Sequence, residues 1–469
     1  MTIKNDTDEL IAKDQKNILH PATSIVQLME KGATIIEEGK GIHLQDSRGH
    51  KTIDGIAGLW CVNAGYGRAE LGQAMADAAS KLGYYHSFGA MSNRPQIELA
   101  ERLVDMAPGR IGKVFFGSSG SDANDSLVKI VWHYNNILGR PEKRKIISRF
   151  NAYHGTGVAS ASLTGIPAFH KMFNLPIDGI IHTTNPHYYR YGHAGESEEA
   201  FSARRAAELE KMIQDEGPDT VAAFIAEPIM GAGGVIDPPK GYFAAIKAVL
   251  KKYDILFIAD EVICGYGRLG SNFGSTLMDL DPDMMASAKG LTSGYFPMSA
   301  AFITDEIWEV LKKGSEQLGS FAHGYTYSGH PVGAACALAN LDIMDREGLV
   351  ENAADVGAYL HQKLHDTFDG HKHIAEVRGK GLLAAVQLIA DKDNKKFFDA
   401  KLGLPFKIGA ACYEKGLIVR ALPSVTSIAL SPPLIVNRAD VDEIVARLEA
   451  GINAGLGELA DEDFVGVDP

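Results

Sequence analysis

The sequence predicts an α/β protein, with a mostly parallel central sheet in a large domain and a smaller α+β domain beside it. Three observations predict it. Short apolar runs at 113–116, 145–148, 221–225, 254–258, 284–286 and 299–304 alternate with helix-like stretches, the pattern of strands joined and covered by helices. Residues able to do chemistry follow several of those runs directly: 119–121, Glu227, Asp260 and Lys289. Ligand sites of such sheets gather at the carboxyl ends of the strands. No linker, repeat or low-complexity tract splits the 469 residues into independent halves, although that length exceeds what one small core organises.

In chain order, residues 1–65 read as an N-terminal segment that joins the small domain in space. Residues 66–328 read as the large domain, and 329–469 as the C-terminal small domain. Within the large domain, 203–214 places Ala206, Leu209 and Ile213 on one helical face. The last part holds helical patterns and then one extended run, 417–430.

Composition narrows the function classes. An apolar fraction of 45% with 22% charged residues is that of an ordinary globular protein. A net charge of −13 without a basic stripe speaks against a nucleic-acid partner. The opening 1–17 is polar and mixed in charge, unlike a signal peptide. The run 381–390, about the longest apolar one, is too short to span a membrane. Cys61, Cys264, Cys336 and Cys412 lie far apart, with neither metal-ligand pairing nor a disulfide framework. The expectation is a soluble cytoplasmic protein with no metal and no membrane contact.

Lys289 carries most of the functional signal. It follows a short apolar run and precedes Gly290, Thr292, Ser293 and Gly294, while Asp260 ends an earlier run. An amine and an acid at the ends of two buried strands suit an enzyme with an aldehyde cofactor: the amine would hold the aldehyde as a Schiff base. The acid would keep a pyridine nitrogen protonated, so that the ring draws electrons. That cofactor would be pyridoxal 5′-phosphate. The string 116–124 opens a helix after a run, and Gly120 and Ser121 are the expected phosphate cradle. The same string also suits an ordinary helix cap. It fits neither the dinucleotide nor the Walker pattern. Tyr153 and His154 follow another run, where a ring could lie against the cofactor and an imidazole could position it; packing alone would also explain such a pair.

With these pieces in order, nearly the whole chain resembles the class III aminotransferases of fold type I, and among them the omega-transaminases, or amine:pyruvate aminotransferases. The resemblance rests on Gly58-Leu-Trp-Cys-Val-Asn-Ala-Gly-Tyr-Gly67, Gly117-Ser-Ser-Gly-Ser-Asp-Ala-Asn124, Tyr153-His-Gly155 and Glu227-Pro-Ile-Met-Gly-Ala-Gly-Gly234. It continues through Asp260-Glu-Val-Ile-Cys-Gly-Tyr-Gly-Arg268, Ala288-Lys-Gly-Leu-Thr-Ser-Gly-Tyr295 and His323-Gly-Tyr-Thr-Tyr-Ser-Gly-His-Pro331. It implies that Lys289 is the Schiff-base lysine and proton carrier, and that Asp260 pairs with the pyridine nitrogen. Val262 and Tyr153 would cover the two ring faces, and Glu227 would support the ring's polar edge. Thr326 would bind the phosphate of a neighbouring subunit's cofactor, which implies a homodimer or a dimer of dimers. Trp60, Ala232 and Tyr153 would line the substrate pocket, with Phe88 added across the interface. Arg420 would be the mobile arginine that pairs with a keto acid's carboxylate and swings aside for an amine. Ala22 departs from the bulky apolar residue common at its position and would widen the amine side.

The implied reaction moves an amino group from a primary amine (an omega-amino acid, a diamine or an arylalkyl amine) to a keto acid, taken to be pyruvate, in a ping-pong cycle. A GABA- or diamine-specific aminotransferase, a decarboxylase or an aminomutase on the same fold, and a catalytically silent binding protein are the competing readings. Intact Lys289, Asp260 and Thr326 oppose the last.

Overall fold

The computed structural model describes residues 6–467. At its centre lies a seven-stranded sheet of β1 (Ile111–Gly117), β2 (Lys145–Arg149), β3 (Ile180–Thr183), β4 (Val221–Ala226), β5 (Leu256–Asp260), β6 (Met284–Ser287) and β7 (Ser299–Thr304). The spatial order is β1-β7-β6-β5-β4-β2-β3. From β3 to β6 every pairing is parallel, whereas β7 runs antiparallel to both β6 and β1.

Every residue of β4, β6 and β7 is buried, because both faces of the sheet are covered. Side chains divide between the faces with the strand period of two. Ile225, Ile258, Met284, Ala286, Ala301 and Ile303 pack in one cluster with Leu127 and Val131 of helix Gly120–Ile137. Their neighbours Phe224, Phe257, Met285 and Phe302 pack on the other side with Ile246 and Leu250 of helix Tyr242–Lys252.

The six expected runs all form strands, with two adjustments. The run at 254–258 begins late: Asp254 turns in left-handed backbone and β5 extends to Asp260. The sequence reading also omitted β3, whose four residues Ile-Ile-His-Thr are too short and too mixed to show a period.

The expected single run at 417–430 is not continuous. Leu417–Ile418 pairs in parallel with Ile53–Asp54 and joins an N-terminal sheet with Ile36–Lys40 and His43–Asp46. Arg420–Leu422 and Ser427–Leu430 instead form a hairpin in a second four-stranded sheet, with Ile374–Lys380 and Leu383–Leu388. The break has a local cause. Pro423 lacks a backbone donor and starts a short helical turn, and Thr426 leaves that turn at φ +55°. Helix Glu198–Glu216 is capped by Ser197 and buries Ala206, Leu209 and Ile213 as the periodicity requires.

Candidate active site

The parallel strands deliver their ends to one place. Asp260 closes β5 opposite Ala286 of β6, so Lys289 leaves the neighbouring strand three residues beyond that partner. Glu227 follows β4 directly, and the helix that begins at Gly120 follows β1.

Lys289 sits at φ +44°, a left-handed conformation that is strained for a side chain of this size. The turn is over-determined by buried Asn340. Its amide donates to Gly290 O (2.9 Å) and Leu291 O (3.0 Å), while its carbonyl oxygen accepts from the Ser293 hydroxyl (2.6 Å). The Lys289 amine lies 5.9 Å from the Trp60 ring centre. Burial lowers its pKa, against the raising influence of the Asp260 charge. An amine that sheds its proton more readily is more often in the neutral form, the one able to act as nucleophile or to accept a proton.

Asp260 is buried and held on three sides. His154 Nδ1 lies 2.7 Å and Asn124 Nδ2 2.8 Å from Oδ2, while the Val262 amide donates to Oδ1 (3.0 Å). Burial alone would raise its pKa. The His154 contact and charge and the Asn124 and Val262 donors more than offset that, so the carboxyl lies below its ordinary range. Among the described residues Oδ1 takes only the backbone donor, which leaves it a lone pair for one further N–H.

Glu227 is the opposite case. Burial raises its pKa, although His154 and Arg149 oppose the shift. Arg149 Nη2 donates to the Glu227 carbonyl (2.8 Å) and lies 3.3 Å from Oε2. Oε1 accepts from the Tyr153 amide (3.3 Å).

Ser119 caps helix Gly120–Ile137 by accepting from the Asp122 amide. None of the described hydrogen bonds outside the helix takes up the amides of Gly120 and Ser121. They stand at the positive end of an 18-residue helix, ready for an anion. Glycine at 120 suits a close approach: a Cβ there would lie 3.0 Å from both methyls of Val262, which would have to give way. The Ser121 hydroxyl accepts from the Thr156 amide (3.1 Å), which ties the Tyr153–His154 loop to this cradle.

Asp54 organises the segment before Trp60. Its carboxylate accepts from the amides of Ile56 and Gly58 and from the Tyr66 hydroxyl, fixing the turn that presents Trp60. The Trp60 ring packs in one apolar cluster with Ile229, Val235, Ile263, Leu422 and Val425, and Ala232 lies against that cluster. The Arg420 guanidinium sits 5.5 Å from the centre of the same ring. It forms no ion pair with a carboxylate among the described residues, although Tyr153 lies within its electrostatic reach.

The fold therefore brings Gly120, Ser121, Tyr153, His154, Glu227, Asp260, Val262 and Lys289 to one end of the sheet, and Trp60, Ala232 and Arg420 beside them. Ala22, Phe88 and Thr326 are exposed on the single chain. Phe88 packs near Gly324, and the Thr326 carbonyl accepts from the Tyr84 hydroxyl (2.7 Å). Sequence reasoning gave no role to Asn124, Arg149 or Asn340. Of these only Arg149 left a signal, a charge ending an apolar run.

The donor set fits pyridoxal phosphate: unengaged helix amides for a phosphate, an ionised buried carboxylate with a lone pair to spare, and an amine whose proton is easily lost. Among the described residues no group of His, Cys, Asp and Glu could hold a metal ion, the four cysteines are free, and no helix is long and apolar enough to cross a membrane.

Comparison with known proteins agrees with this chemistry. A family-wide description of class-III aminotransferases matches residues 27–452. The diaminobutyrate–2-oxoglutarate transaminase of Halomonas elongata is 48% identical over 97% of this chain and 98% of its own length. Gamma aminobutyrate transaminase 1 of Solanum lycopersicum is 45% identical over 92% of this chain and 83% of its own. Among solved structures, the omega transaminase of Pseudomonas jessenii in complex with PMP superposes with a TM-score of 0.93. It is 47% identical and covers 96% of this chain and 98% of its own. A transaminase from ancestral reconstruction reaches a TM-score of 0.95 at 52% identity, covering 97% and 100%.

Proposed function

The chain belongs to the class-III aminotransferases and is a pyridoxal-phosphate-dependent transaminase, and on that premise we propose that it transfers the amino group of a primary amine to pyruvate, with Lys289 as its catalytic base. When bound, the cofactor supplies a carbonyl carbon that takes up the amino group and a ring that withdraws electrons.

Lys289 Nζ moves the proton to and from the amine-bearing carbon. The amine is suited to both directions because burial lowers its pKa while the Asp260 charge keeps the protonated form accessible. Asp260 Oδ1 holds a ring N–H, and His154 and Asn124 keep that carboxylate ionised and aimed. The amides of Gly120 and Ser121 bind the phosphate. Val262 and Tyr153 would hold the ring between them, and Glu227 would support its polar edge.

The observation that carries the choice of acceptor is Arg420. Its guanidinium lies over Trp60 without a carboxylate partner among the described residues, whereas Arg149 and Arg378 are already engaged by Glu227 and Glu376. One free guanidinium suits a keto acid with a single carboxylate. A second carboxylate, as in 2-oxoglutarate, would need a second cation. An amine without a carboxylate meets the Trp60 and Ala232 walls instead.

Exposed Thr326 and Phe88 support a homodimer in which each chain completes its partner's site, Thr326 at the phosphate and Phe88 at the substrate pocket. Ala22 would widen that pocket on the amine side.

Two measurements test the proposal. Borohydride reduction followed by peptide mapping should place the cofactor on Lys289 alone, and label on another lysine would remove the assignment. A panel of amines assayed with pyruvate and with 2-oxoglutarate should favour pyruvate; a preference for 2-oxoglutarate would overturn the acceptor.

A further inference from the structure

The geometry points to Arg378 as the positioning residue that sets the width of the substrate pocket. It clamps the turn carrying Ala232 to the hairpin carrying Arg420. The inference rests on the reading of Arg420 as the group that binds the acceptor's carboxylate.

Arg378 lies in strand Ile374–Lys380 and is 8% exposed. A buried arginine kept only for charge balance needs one carboxylate, which Glu376 provides at 2.8 Å. Most of the remaining donors go elsewhere. Nε donates to Gly234 O (2.9 Å) and Val235 O (3.1 Å), and Nη2 to Gly234 O again (2.6 Å). Nη2 also donates to the Ser427 hydroxyl (2.9 Å), and Nη1 to Gln387 Oε1 (3.1 Å). One planar fork thus grips the turn 231–235 on one edge and the second sheet on the other.

The grip extends to the base of the Arg420 hairpin. Ser427 pairs with Leu422, two residues beyond Arg420, and its hydroxyl donates to Gln387 Oε1 (2.9 Å). The Gln387 amide in turn donates to the carbonyls of Val425 and Thr426, which close the hairpin. Val425 meets the turn directly. Gly234 has φ +136°, and a Cβ there would lie 2.7 Å from a Val425 methyl. A Cβ at Gly233 would strike the Asn151 carbonyl, at the start of the Tyr153 loop. The turn is therefore wedged between the loop of Tyr153 and the hairpin of Arg420, and Arg378 locks it there. Ala232 packs against the apolar cluster that holds Trp60, and Arg420 lies over the Trp60 ring, so the clamp joins two parts that border the same aromatic wall.

Lysine at this position keeps a charge for Glu376 but has no fork to span two carbonyls and a hydroxyl. The Arg378→Lys holoenzyme should keep its cofactor absorbance and hold kcat within about twofold. Its KM for pyruvate and its dissociation constant for propanoate, a carboxylate with no reacting group, should both rise about tenfold, the scale of one or two lost hydrogen bonds. Ser427→Ala, which removes the hydroxyl's bonds to Arg378 and Gln387 and leaves the charges alone, should shift both constants the same way by roughly threefold. It decides the matter if Arg378→Lys does not fold.

Parent-like propanoate binding in both variants would overturn the clamp. So would kcat and KM failing together with loss of cofactor, which marks a role in folding. Arg420→Ala, measured in parallel, separates the two levels. If it weakens propanoate while the clamp variants do not, the clamp falls and the reading of the site stands. If it binds propanoate as the parent does, that reading falls and takes the clamp with it.

Discussion

Replacing Arg420 with alanine separates the two halves of the reaction. Arg420 is an exposed residue of the single chain, but its guanidinium is partly buried, lies 5.5 Å from the Trp60 ring centre and pairs with no carboxylate among the described residues. Its removal strands no buried partner. The stability lost is the cation–π contact, about 0.5–1 kcal/mol at an exposed site. The functional loss is larger, because a charge-assisted bidentate pair with a carboxylate contributes roughly 1.5–3 kcal/mol. Read as a rate factor, that is about ten- to a hundredfold in kcat/KM for pyruvate. An arylalkyl amine has no carboxylate to lose, so its half-reaction should stay within about twofold, the scale of a small change in apolar contact. Stopped-flow absorbance of the cofactor follows each half-reaction in a single turnover. Equal losses in both would mean that Arg420 supports the fold or the cofactor, and the free-guanidinium argument for a monocarboxylate acceptor would fail with it.

Three further outcomes follow from particular contacts. Asp260→Asn should still bind cofactor at Lys289 but slow proton removal severely, because a neutral amide no longer holds the ring N–H charged; parent-rate turnover would refute the role. Under subunit exchange, mixed Lys289→Ala and Thr326→Ala proteins should recover activity, since a hybrid dimer collects both defects in one site; no recovery with exchange verified would place Thr326 within its own subunit's site. Glu261 is pushed up to about 7 by burial and by the Asp260 charge, against the amides of Ser275 and Gly274. Its carboxyl is then protonated in the fold while ionised in the unfolded chain, so stability should fall between about pH 4.5 and 7 as the unfolded state sheds that proton first. Glu261→Gln should flatten that part of the melting-temperature profile, and an unchanged slope would exclude Glu261 as its source.

What the sequence made legible follows from how far apart the deciding residues lie. Asp260 and Lys289 could be read because one closes a buried strand and the other follows the end of its neighbour, and in a parallel sheet strand ends converge whatever the loops do. Gly120 could be read because a helix opening after a strand is a local pattern. The supporting residues could not. Asn124 matters through a bond to Asp260 136 positions away, and Asn340 through bonds to carbonyls about 50 positions away; an asparagine inside a helix advertises neither. The run at 417–430 misled for a different reason. Its composition suits one strand, but Pro423 and left-handed Thr426 divide it, and the two pieces serve different sheets. That division has a consequence for the site. Leu417–Ile418 is tied to the segment that leads through Asp54 to Trp60, while Arg420 belongs to the hairpin gripped through Ser427 and Gln387. Between them lies only Val419, so the chain changes sheets at the residue before the guanidinium. Trp60 and Arg420 are consequently reached through separate sheets although the guanidinium lies over the ring, so the geometry of their contact depends on how the two sheets pack against each other through Trp60, Leu422 and Val425.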